Sequence, residues 1–357
     1  MPTAAPSPVE ISEALTRRVL GQDDAVREMS IALSKKLAGL MVGNILMIGS
    51  SGTGKTTLMR AVEKYLAADP ELAVRSAVVR IHANVLGDEA EAGRPGAAVL
   101  RRLLERAREQ LGPSAAREAY LERAAHGLVF VDEVDKIRSN VGGQVNVRGI
   151  RAQEALLTLI ENEAVPLDLP QWLGGETVTV DSSGLLFVCA GAFEGLYDSV
   201  FDRVTIGEDK GALQPVTVVE DGKVVERLIF SLRDWLRNED LFDYGMSPQF
   251  LSRFDAVVLL ADLGEEELAR IFMETPESGF HQTRAFFESR GIKLAISAKA
   301  IESISRAAAL QPRLGARALR EVFRRVVRDL EYEPEKHASG GVFLLDRHHV
   351  EAALRDR

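Results

Sequence analysis

From Asp23 the apolar residues recur at helical spacing, with Val26, Met29, Leu33 and Leu37 on one face and Asp24 near the start, where a helix dipole favours an acid. Five short apolar runs follow: NILMIG, SAVVRIHA, GLVFVDE, GLLFVCA and DAVVLLA. They are short, rich in Val and Ile and separated by helical stretches, so they predict a parallel sheet with both faces covered. Between them, KTTLMRAVEKYL and AAVLRRLLERAREQL read as helices, the latter with Val99, Leu103, Ala107 and Leu111 on one stripe. The pattern predicts an α/β domain.

Two departures break this rhythm. Around Asp221-Gly222 the segment VTVVEDGKVVERLIF alternates, which predicts a β-hairpin inserted at about residues 205–230. Beyond Leu260 the chain turns helical, and Leu319, Phe323, Val327 and Leu330 form a stripe in the last long helix. We therefore expect a flexible arm over 1–13, a large α/β domain over 14–260 and a smaller helical domain over 261–357.

Composition narrows the function classes. The chain has 357 residues, 46% of them apolar, and a net charge of -9, which argues against a generally nucleic-acid-binding surface. The single cysteine, Cys189, sits in an apolar run and reads as core, consistent with a reducing compartment and a cytoplasmic protein. No apolar run reaches the roughly 20 residues that span a bilayer, the first residues carry no secretory pattern, and the six histidines lack the spacing of a metal site.

Three stretches carry chemistry. GSSGTGKT, Gly49 to Thr56, follows a predicted strand and opens a predicted helix, as a phosphate-binding loop requires. Its glycines let backbone N–H groups wrap phosphates, Lys55 reaches the β- and γ-phosphates, and the Thr56 hydroxyl suits magnesium. LVFVDEVDK delivers two acids, Asp132 and Glu133, at the end of a buried strand, where idle carboxylates would be costly. Beside a phosphate loop, Asp132 is a magnesium partner through water and Glu133 a base for the attacking water. SPQFLSRFD places Arg253 just before the fifth strand, where an arginine supplied in trans could stabilise a transferring phosphoryl group.

In this order the motifs resemble the AAA+ ATPases, and among them the ring-forming protein unfoldases of the ClpX and HslU branch. The resemblance runs from about Leu15 to Glu335. RRVLGQDDAV, containing Val19 and Leu20, is similar to the segment near the adenine; GLVFVDEVDKI to the Walker B region; LLFVCAGAFEGL to the branch's G-A-F strand end; and PRLGARALREVF to its sensor-2 helix. It implies a five-stranded parallel sheet in the order 5-1-4-3-2, a helical lid domain, and a homo-hexamer with ATP and Mg2+ between subunits. Ser51, Gly52, Thr53, Gly54, Lys55, Thr56 and Thr57 would hold the nucleotide with Asp132. Arg253 would act as the arginine finger, and Arg317 would touch the nucleotide from the small domain.

The departures are as informative. ClpX proteins usually begin with a cysteine-rich zinc domain, whereas the one cysteine here, Cys189, lies in an apolar run and cannot build one. Their protease-docking loop carries an I-G-F-like tripeptide; TIGEDKG here puts acidic Glu208 at the apolar position, which argues against a ClpP-type peptidase as partner. The first pore loop of the branch reads G-Y-V-G, and GRPG stands in its place, so Arg94 and Pro95 replace an aromatic grip; this is either a specialised contact or only a tight turn before a helix. The second pore segment keeps its glycines, with Arg148 and Arg151 as candidate contacts, and Trp172 nearby reads as a packing anchor. The leading expectation is an ATP-hydrolysing ring that remodels a protein partner without a protease. The alternatives are an unfoldase that feeds a ClpP- or HslV-like peptidase, and a nucleic-acid remodeller or ATP-gated scaffold.

Overall fold

The five apolar runs form β1 (Asn44–Ile48), β2 (Val78–His82), β3 (Leu128–Asp132), β4 (Leu186–Gly191) and β5 (Phe254–Leu259). The computed structural model describes residues 5–73, 75–91, 96–161, 164–210, 213, 215–220, 223–227, 230–338 and 340–355. All neighbouring strands run parallel, in the order β5-β1-β4-β3-β2, the order that the resemblance implies. The reason lies in the side chains. Leu128 to Val131 and Leu186 to Ala190 are buried without interruption, and burying each such aliphatic group stabilises the fold by about 1.5–3 kcal/mol. Cys189 pairs with Leu46 on one side and Val131 on the other; burial pushes its thiol up, so it stays protonated and inert.

The chain forms two compact units, each made of separate stretches: residues 1–7, 31–48 and 63–259 in the first, and 8–30, 49–62 and 260–357 in the second. The first holds the sheet and its core. Helices α4 (Ala97–Leu111) and α6 (Val147–Ile160) contribute Leu100, Leu103, Leu156 and Leu159 to that core. The second has its own core, in which Leu268 and Phe272 of α7 (Glu265–Glu274) meet Ala318, Leu319, Val322 and Phe323 of α10 (Ala316–Tyr332). Residues Pro8 to Thr16, part of which the sequence reading leaves in a flexible arm, form helix α1, because Ile11 and Leu15 bury one turn apart. The remaining helices used below are α2 (Asp23–Leu37), α3 (Lys55–Ala68), α5 (Arg117–Ala125), α8 (Gly279–Ser289) and α9 (Ala298–Ala309), of which α8 and α9 pack in the second core.

Val216–Glu220 and Lys223–Arg227 pair antiparallel, as the alternating pattern predicts, while Asp221 and Gly222 lie outside the described residues. The segments flanking this ribbon are tied by Arg203, whose guanidinium donates to both carboxylate oxygens of Asp240 at 2.8 and 2.9 Å and to the Trp235 carbonyl at 2.6 Å. Trp172 is an anchor: Tyr120 meets its ring edge-on at 5.4 Å, and the Arg108 guanidinium lies 4.3 Å from its centroid.

One buried amide holds the segment that leads into β5. Gln153 on α6 donates to the carbonyls of Ile137 (2.8 Å) and Gly245 (2.9 Å) and accepts from the Ser247 N–H (2.9 Å). Ser247 in turn caps the short helix Pro248–Leu251, six residues before Arg253. Gln153→Leu keeps the volume but removes the side-chain partner of the Ile137 carbonyl and the Ser247 N–H, while the Gly245 carbonyl keeps the Ser139 N–H at 2.8 Å, so we expect a loss of about 2–4 kcal/mol in chemical denaturation. A change under about 0.5 kcal/mol would mean that the backbone is held by other means.

Candidate nucleotide-binding site

The phosphate loop lies in the second unit. Gly52 and Gly54 adopt positive φ of 78° and 106°, which L side chains rarely tolerate, so the motif's glycines are required by backbone shape. The loop leads into α3, whose first N–H groups lack intrahelical acceptors and suit an anion. Lys55 is buried, and its ammonium donates to the carbonyls of Gly49 (2.5 Å) and Ser50 (2.8 Å), while Thr53 Oγ1 donates to the Ser50 carbonyl at 2.9 Å. The ammonium is thus held over the loop by neutral carbonyl acceptors, which a phosphate can replace with charge-assisted bonds.

Two other predicted elements share this unit. The Ala316 N–H donates to the Gly52 carbonyl at 3.1 Å, and a Cβ on Gly52 would fall 2.1 Å from the Leu314 carbonyl oxygen. Only glycine lets the turn before α10 approach so closely, and Arg317 lies one residue further on. Val19 is buried and Leu20 half-buried beside Gly21, and Gln22 clips the chain after β5 by donating to the Ala261 carbonyl (2.8 Å) and accepting from its N–H (3.0 Å). Ser50 Oγ also donates to Asp262 at 2.8 Å. Neither Gln22 nor Asp262 stands out in the sequence.

The acidic pair lies in the first unit. Asp132 is the last residue of β3, in register with His82 at the end of β2. Glu133 follows in a left-handed conformation, φ 58° and ψ 38°, with its N–H donated to Asp132 Oδ1 at 3.0 Å. The strand therefore ends in a sharp turn that leaves the Glu133 carboxylate exposed, 3.8 Å from His82 Nδ1. Behind it, Asp135 is buried; its Oδ1 accepts from the Ala192 N–H at 3.0 Å, and any side chain at Gly191 would press within 2.7 Å of that oxygen. Phe193, with φ 51°, completes the G-A-F turn and packs 5.3 Å from the Tyr244 ring. Burial first, then the neighbouring Asp135 carboxylate, pushes the Tyr244 hydroxyl up to about 12, so it stays protonated.

Arg253 is exposed in this unit and donates Nε to Glu161 Oε1 at 3.0 Å. Arg148 pairs with Asp88, and its side chain lies against Gly87. Arg94 and Pro95 lie outside the described residues; Gly96, next along, has φ 79° and precedes α4. Lys55, Thr56, Thr57 and Arg317 thus belong to one unit, and Asp132, Glu133, Arg148 and Arg253 to the other. Each of Thr56 and Asp132 carries the hard oxygen that magnesium prefers, a hydroxyl in the one case and a carboxylate in the other.

Residues 45–203 match the family described as "ATPase family associated with various cellular activities (AAA)". The chain is 31% identical over 355 residues to the ATP-dependent Clp protease ATP-binding subunit ClpX 3 of Methylococcus capsulatus, covering 92% of this chain and 76% of that one. It is 30% identical to the ClpX of Bacteroides thetaiotaomicron, over 92% of this chain and 77% of the other, and 29% identical to the ClpX of Porphyromonas gingivalis, over 91% and 77%. The chain belongs to the AAA family of ATPases. Within that family it is a ClpX-like AAA+ ATPase, an enzyme that binds and hydrolyses ATP.

The turn at Glu133 supplies a test. A left-handed Glu is strained by about 1–2 kcal/mol, whereas glycine adopts the shape freely at some cost in chain entropy. Glu133→Gly is expected to gain roughly 0.5–1 kcal/mol of stability while losing ATP turnover, when denaturation and phosphate release are measured on the same preparation. A loss of stability would show that the turn is not strained.

Proposed function

We propose that Lys55, Thr56, Asp132, Glu133, Arg253 and Arg317 form the working ATPase of a homo-hexameric ring that remodels a protein partner in the cytoplasm. The supporting observation is the complete set of motifs on a chain aligned over 92% of its length with proteins named ClpX. Magnesium, held by Thr56 and through water by Asp132, would neutralise charge on the β- and γ-phosphates. Glu133 takes a proton from water as the water oxygen bonds to the γ-phosphorus and the bond to the β–γ bridging oxygen breaks, giving ADP and phosphate. Lys55 holds the phosphates, and Arg317 senses the nucleotide from the turn packed on Gly52.

Arg253 acts on a neighbouring subunit's nucleotide, leaving its pairing with Glu161 to do so. The substrate-facing segment differs from a generic gripping loop, because Arg94 and Pro95 supply a cation and a fixed backbone in place of an apolar paddle. We therefore infer a dedicated client and work independent of a protease. One observation favours delivery to a peptidase instead: Ile206 is 73% exposed, followed by Gly207 and then Glu208. The net charge of -9 disfavours nucleic acid. Among the described residues no helix is long and apolar enough to cross a membrane.

Mixing two inactive variants tests the shared site. Arg253→Ala and Glu133→Gln should each bind ATP and each lose about 100-fold or more in turnover. Combined in one ring, they should regain a measurable fraction, because some interfaces then unite an intact Glu133 with an intact Arg253. No recovery, despite mixed rings shown by mass spectrometry, would contradict action in trans. Degradation of a tagged folded protein by the wild type with an added ClpP-type peptidase, lost on Ile206→Ala, would instead establish the delivery reading.

A further inference from the structure

The first unit contains a cavity of about 580 Å3 at the entry edge of the sheet, where β3 and β4 begin, opposite the edge at which Asp132 ends β3. That volume suits a small organic ligand. Its walls are uneven in charge. Lys36 comes from the last turn of α2, Arg75 from the chain before β2, and Arg123 from the end of α5, against the single carboxylate of Glu122 among the lining residues. Leu111 and Leu186 provide an apolar floor, and Leu40 and Met41, 59% and 73% exposed, stand among the lining residues.

Two of these groups, Arg123 and Lys36, are met only in part by the protein. Arg123 Nη1 is buried without a hydrogen-bond partner, although a buried guanidinium nitrogen lacking an acceptor costs a few kcal/mol. Lys36 donates to the Gly184 carbonyl, a neutral acceptor that leaves its charge unbalanced. Native folds rarely leave such groups idle.

We propose that this cavity binds a small oxyanion, a carboxylate or phosphate carried on an apolar tail, with Arg123 and Lys36 on the anion and Leu111 and Leu186 against the tail. Arginine's fork matches both headgroups, and the leucines make the bare ion a poorer fit than its alkyl form. None of the cavity's lining residues is among those assigned to ATP. Protonation supports the placement: burial pushes Lys36 down from 10.5 to about 8, so its charge is disfavoured until a counter-ion arrives. A bound anion raises that value again, so affinity should fall as pH rises past about 8.

The test is titration calorimetry on the full chain saturated with ADP, which keeps the probes out of the phosphate loop. Hexanoate and hexyl phosphate are the probes, with inorganic phosphate and hexylammonium as controls. The alkyl anions should saturate, bind more tightly than inorganic phosphate and leave hexylammonium without a signal. Whichever alkyl anion binds more tightly identifies the headgroup. Arg123→Gln and Lys36→Gln should each weaken binding by about 10–100-fold while ADP binding and cooperative unfolding persist. If Arg123→Gln fails to fold, Arg123→Lys retains the charge without the fork and should lose most of the affinity. Absence of saturation by either alkyl anion, or equal affinity in Lys36→Gln and the wild type, would overturn the proposal.

Discussion

A parallel strand buried on both faces can present polar chemistry only where it leaves the sheet. β3 obeys this strictly: Leu128 to Val131 are wholly enclosed, and the next two residues are Asp132 and Glu133. β1 does the same, running through Leu46 to Ile48 before the glycine loop begins at Gly49. The sheet thus fixes where acids and phosphate-binding amides emerge, and the turn chemistry fixes how they point. Glu133 is aimed by a left-handed turn, and that turn is backed by Asp135, the bare Gly191 and Phe193.

The same logic explains the second unit. The phosphate loop is held there by the Gly52 carbonyl, which accepts from the Ala316 N–H, and by Ser50 Oγ, which donates to Asp262, while the Gln22 side chain clips both polar backbone groups of Ala261 just before Asp262. Backbone contacts of this kind tolerate no Cβ at Gly52 and little error in register. A small change in the loop's shape therefore acts directly on the turn that leads into Arg317. Family membership and motif order make this an ATPase; these contacts give a physical route by which nucleotide state can act on the helical core.

Much of this was legible in the sequence because it is local. Burial of the inner strands β1, β4 and β3 is written in unbroken apolar runs, whereas the edge strands β2 and β5 alternate in burial; the loop is written in its glycine spacing, and the hairpin in alternation around Asp221-Gly222. What escaped was contact between residues far apart in the chain. The Arg253–Glu161 pair spans 92 positions and the Gln22 clip 239, and no periodicity connects such partners. Helix α1 was missed because two buried residues, Ile11 and Leu15, are too few to reveal a stripe. The cavity around Lys36 and Arg123 was invisible for the same reason, since α2, α5 and the start of β4 supply its walls.

The central claim is that each ATPase site is completed by a neighbouring subunit through Arg253. Specific ATP turnover measured across a dilution series, with assembly followed by light scattering in the same samples, addresses it most directly. Turnover per chain should collapse as the assembly dissociates and recover on concentration, tracking the ring and not the monomer. Turnover per chain that stays constant into the range where only monomers scatter would contradict the account.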